Sequence, residues 1–76
     1  MIKYTPHDLE MLVKRELAKT KPSAADEVRI QILRGREGWY PVCHFKKDRS
    51  KEDQSAIADL VSSIGRQLAP DHELIG

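Results

Sequence analysis

The chain has 76 residues, 39% of them apolar and 33% charged, with a formal net charge of +1. That length makes one small domain, residues 1–76, with a thin core, because so short a chain buries only about 60% of the surface its unfolded form exposes. A single cysteine excludes an internal disulfide, and no apolar run approaches the ~20 residues of a membrane-spanning helix, so the sequence reads as cytoplasmic with no membrane partner.

Ile2 and Tyr4 are placed to form a short edge strand. Thr5-Pro6 then starts a helix: the hydroxyl suits the N-cap, and proline at the next position loses an N–H that would be unpaired anyway. Leu9, Leu12, Val13 and Leu17 recur at helical spacing, and Pro22 stops the run, which predicts a first helix over residues 6–20. Residues 23–26 read as a connector. Val28, Ile30 and Ile32 alternate with Arg29, Gln31 and Leu33, and Gly35-Arg36-Glu37-Gly38 is a turn. This predicts an antiparallel hairpin with strands over 27–34 and 39–46.

Pairing Gly35 with Gly38 sets Ile32 opposite Pro41, Ile30 opposite Cys43 and Val28 opposite Phe45, so that one face is apolar. A slip of one residue would bring His44 and Lys46 to that face, and so the first register is expected. Pro41 has no N–H to give a ladder, and its nitrogen should point away from the first strand. The outer edge of that strand, at Val28, Ile30 and Ile32, is then left for the N-terminal strand or for a second subunit. Ser50 to Asp53 resembles a capping box. Ile57, Leu60, Val61, Ile64 and Leu68 form an apolar stripe, predicting a second helix over 51–69 with Gly65 inside it, followed by a flexible tail over 70–76. The expected fold is a two-layer α+β domain ordered α-β-β-α, the hairpin covered on one face by two helices and extended by an N-terminal strand or by dimerisation.

Charge is unevenly spread. Residues 28–51 carry seven basic and two acidic groups, a local +5, and residues 52–76 carry one basic and five acidic groups, a local −4. The hairpin is a cationic lobe and the last helix an anionic one. Three of the four aromatic rings, Trp39, Tyr40 and Phe45, also lie in the hairpin. Arg29, Arg34, Arg36, Trp39, Tyr40, His44, Lys46 and Lys47 are therefore the candidate partner surface, since guanidinium and ammonium groups neutralise phosphates and aromatic rings stack on unpaired bases. Trp39 is expected at the hairpin tip as a lid on the core, opposite Arg34.

No catalytic or metal-binding pattern stands out, and no cofactor is expected. Cys43 and His44 are adjacent on a strand and point to opposite faces, so they cannot act as a thiolate–imidazole pair. The histidines and the cysteine lack zinc-site spacing, and Gly35-x-x-Gly38 lacks the Lys-Ser/Thr of a phosphate loop. The order helix, strand, strand, helix is similar to the double-stranded RNA-binding domain. That family has a third strand and a basic run where Lys51-Glu52-Asp53 stands here, and no residue role carries over. The sequence is thus read as a non-enzymatic interaction module that forms a homodimer, with Val28, Ile30 and Ile32 as the dimer edge. Binding of RNA or single-stranded DNA through the hairpin is the alternative.

Overall fold

The structure, a computed structural model, describes residues 2–36 and 38–75. Met1, Glu37 and Gly76 lie outside the described residues, and with them the second central position of the expected turn and the outer ends of the N-terminal strand and the tail. The elements are β1 (Ile2–Tyr4), α1 (Pro6–Thr20), α2 (Pro22–Ala25), β2 (Val28–Gly35), β3 (Gly38–Phe45), α3 (Lys51–Leu68), a single 3-10 turn (Ala69–Asp71) and β4 (His72–Leu74). Both long helices pack on one face of the β2–β3 hairpin, α1 over β2 and α3 over β3, and they also touch each other. This is the two-layer α+β arrangement.

Local chemistry sets the helix starts. Thr5 Oγ1 accepts from the Asp8 backbone N–H at 3.1 Å, and Asp8 Oδ2 accepts from the Thr5 N–H at 3.3 Å, a complete capping box for α1. Leu9, Val13 and Leu17 face the core and are fully buried. At the start of α3 only one half of the reciprocal pair forms. Ser50 Oγ accepts from the Asp53 N–H at 3.2 Å, while the Asp53 carboxylate turns to Arg49. Arg49 also pairs with Glu27 and so ties the entry of β2 to the start of α3. Ile57, Val61 and Ile64 supply the buried stripe of α3.

The segment expected to be a plain connector is a helical turn, α2, with Ala24 and Ala25 buried. Pro22 opens it at a position where the missing N–H costs nothing, and the two small side chains fit under α1.

The hairpin has the register that groups its apolar residues: Val28 opposite Phe45, Ile30 opposite Cys43, Ile32 opposite Pro41, Gly35 opposite Gly38. Gly38 takes φ +130°, the backbone region that suits glycine. The Lys46 N–H donates to Glu27 O at 3.1 Å, which makes that pair a hydrogen-bonded one. Bonded and non-bonded pairs alternate along an antiparallel ladder, so the N–H and C=O groups of Val28, Ile30, Ile32 and Arg34 point away from β3. On β3 the same count sends Pro41 outward, where its missing N–H breaks no ladder bond.

The two ends of the chain differ from their sequence reading. Ile2–Tyr4 is a strand, but it does not extend the hairpin at β2. It pairs in parallel with β4, Ile2 with His72, Lys3 with Glu73 and Tyr4 with Leu74. The C-terminal segment is accordingly not a loose tail. Its ordering has visible causes: the Ile75 N–H donates to Tyr4 O at 2.9 Å, the Trp39 indole N–H donates to His72 O at 2.7 Å, and Arg34 Nη2 donates to Ile75 O at 3.1 Å. His72 Nδ1 donates to Leu68 O at 2.8 Å, and its ring lies 4.8 Å from that of Tyr4.

Candidate interaction surfaces

The eight candidate partner residues divide into groups according to the face each side chain occupies. Arg29, Tyr40 and His44 stand on the outer face of the hairpin, the one that no helix covers, with Gln31, Leu33 and Val42 between them. His44 Nε2 donates to Gln31 Oε1 at 2.7 Å, a cross-strand contact that orders this end of the face. Tyr40 is 46% exposed. Arg36 sits in the turn, and Lys46 and Lys47 continue past the end of β3; all three are exposed.

Arg34 and Trp39 do not join that surface. Both fall on the inner face, at the tip, where α3 ends and the C-terminal segment begins. Trp39 is 6% exposed, a lid on the end of the core as its place in the register suggests. The indole N–H donates to the His72 carbonyl, and one guanidinium N–H of Arg34, an exposed residue, donates to that of Ile75. Sequence position alone could not show this, because the segment that receives both donors lies 33 and 41 residues away.

Val28, Ile30 and Ile32 send their side chains into the core. Their whole-residue exposures are 1%, 5% and 9%, rising toward the turn. Among the described residues no strand pairs with this side of β2 and no hydrogen bond reaches its outward backbone groups. What the edge offers a partner is therefore backbone alone, and it is least enclosed near Ile32.

Cys43 lies on the inner face, half-buried, as a free thiol. Burial pushes its pKa above the ordinary value, against a smaller opposing effect of a backbone hydrogen bond. The thiol thus stays protonated at neutral pH, which suits a small apolar filler rather than a nucleophile. Among the described residues no group of three or more His, Cys, Asp or Glu side chains could hold a metal ion.

Two of the grooves lined by the described residues give no sign of themselves in the sequence. One, of about 830 Å³, runs along α1 and α2 and, among the described residues, takes none from α3 or the hairpin. Its apolar lining is Tyr4, Met11, Leu12, Ala18, Pro22 and Ala25. Met11, at 57% exposure, is the most exposed large apolar side chain among the described residues. The charged lining is balanced, with Asp8 and Asp26 against Lys14 and Arg15. The other groove, of about 700 Å³, lies between the hairpin turn and the last turns of α3, and it brings Arg36 and Tyr40 to Ser62 and Arg66. Arg66 gives no sign of this in the sequence, where it is an ordinary basic residue in the last turn of a helix.

Comparison with protein families, with curated proteins and with solved structures finds no match. What defines the chain is its own architecture: a small α+β domain whose hairpin has one roofed and one open face, with one groove along α1 and α2 and another between the hairpin and α3. No helix is long and apolar enough to cross a membrane among the described residues.

Proposed function

We propose that the chain is a small non-enzymatic interaction module that forms a homodimer. The observation that carries this reading is the groove along α1 and α2. It combines an exposed methionine with half-buried Leu12 and Ala18 on a domain whose own core is small. An isologous dimer needs a patch complementary to itself, and two acids beside two bases provide that: each subunit's Lys14 and Arg15 can meet the other's Asp8 and Asp26. Lys14, Arg15 and Asp26 form no ion pair within the chain among the described residues. The outward backbone of β2 at Val28, Ile30 and Ile32 is the second place where two copies could join, by pairing strand to strand.

Sedimentation equilibrium up to about 100 μM tests the reading, and a dimer of micromolar affinity is expected. Met11→Glu, at an exposed position, should leave the fold intact and give a monomer. Hydrogen exchange separates the two contacts, because amides of Ile30 and Ile32 gain protection with concentration only if the strand edge takes part. A chain that stays monomeric throughout the range removes the homodimer.

A second reading is nucleic-acid binding through the hairpin. Arg29, Arg36, Lys46 and Lys47 favour it, being exposed and without ion pairs among the described residues, around an exposed Tyr40. The acidic groups of α3 work against it unless they face away from the nucleic acid.

A further inference from the structure

The groove at the hairpin turn combines features that together select a ligand. Its walls are brought close by a glycine. A Cβ on Gly65 would stand 2.4 Å from Pro41 Cδ and 2.7 Å from Cγ, so α3 lies directly on the proline ring of β3. Ser62 and Arg66, one turn apart on α3, thereby reach the side of the groove that faces the turn. Tyr40 is placed by a second glycine. A Cβ on Gly35 would be 3.1 Å from Cε1 and 3.2 Å from Cδ1 of the tyrosine, so the ring lies across the bare backbone of Gly35 while keeping an exposed surface.

The polar lining is rich in donors. Among the described residues, Arg36 and Arg66 are its charged side chains, no carboxylate lines it, and neither arginine forms an ion pair. The hydroxyls of Ser62 and Tyr40 can add to them, and the Trp39 backbone N–H points outward along this edge of β3. Pro41, next but one along the same edge, has no N–H, which disfavours a peptide strand as the occupant. The partial negative charge at the end of α3 opposes an anion, and Arg66 in the last turn offsets it. Two guanidinium groups beside an exposed phenol ring suit a phosphodiester and an unpaired base.

We infer that this groove binds single-stranded nucleic acid, with Arg36 and Arg66 on the phosphates and Tyr40 stacked on a base. The inference rests on the second reading above and assigns it a site that includes residues of α3 as well as the hairpin. Double-stranded nucleic acid keeps its bases stacked on one another, so Tyr40 would gain nothing from it.

The test is fluorescence anisotropy of a labelled oligothymidylate of about 12 nucleotides, titrated with the full chain at low salt. Binding should weaken steeply with salt, fall at least about tenfold in Arg36→Glu/Arg66→Glu, and fall less in Tyr40→Ala. Circular dichroism melts establish that the exposed-site variants fold. Lys46→Glu/Lys47→Glu supplies the contrast. If that pair abolishes binding while Arg36→Glu/Arg66→Glu leaves it unchanged, the groove is wrong and hairpin binding survives. If no binding is seen up to about 100 μM, both fall. Equal affinity for a duplex of the same length also overturns the assignment.

Discussion

The two faces of the β2–β3 hairpin are built from the same sixteen residues and behave as different materials. On the inner face Val28, Ile30, Ile32, Trp39 and Pro41 are buried, and α3 presses on the hairpin so closely that position 65 has no room for a methyl group. On the outer face Arg29, Gln31, Tyr40 and His44 are exposed, and Leu33 and Val42 are only half-covered by their neighbours. The period-two geometry of a strand turns this into a rule: neighbours in sequence differ more in their surroundings than residues across the sheet. Stability resides on one side of the ribbon, leaving the other free to carry contacts with a partner.

Substitutions can break that contrast. Ile30→Ala, on the inner face, should cost about 2–5 kcal/mol in urea unfolding, enough to leave so small a domain partly unfolded at room temperature. Gly65→Ala is the sharper case. Helix propensity alone favours alanine by about 1 kcal/mol, but the proline ring cannot move aside as a flexible side chain would, so a net loss of about 1–3 kcal/mol is expected by the same measurement. A stabilised Gly65→Ala would mean that α3 and β3 are not in the contact described. Arg29→Ala, on the outer face, marks the other extreme and should stay within about 0.5 kcal/mol of the parent. A loss there comparable to that of Ile30→Ala would show that the outer face is covered in solution, as by a second subunit.

Much of the fold is legible from local pattern. Thr5-Pro6 and Ser50 mark the helix starts, the stripes of α1 and α3 mark their buried faces, and the grouping of Val28, Ile30 and Ile32 opposite Phe45, Cys43 and Pro41 selects the hairpin register. The candidate surface is less legible. Arg34 and Trp39 share the charge and aromatic character of their neighbours, yet the indole N–H and one guanidinium N–H are taken by the C-terminal segment. Pro70 sits in the 3-10 turn that follows α3, and nothing near it announces that His72–Leu74 will return to pair with the first residues of the chain.

The sequence by itself determined the elements, their buried faces and the hairpin register, because periodicity, caps and turn glycines act over a few residues and need no distant partner. Only the tertiary structure decided that β1 joins β4 instead of β2, that the C-terminal segment accepts from Arg34 and Trp39 at the hairpin tip, and that Arg66 lines one groove with Arg36. Those outcomes depend on which remote segments can close upon one another at the least cost in chain entropy and unpaired backbone, a balance that no short stretch of the sequence contains.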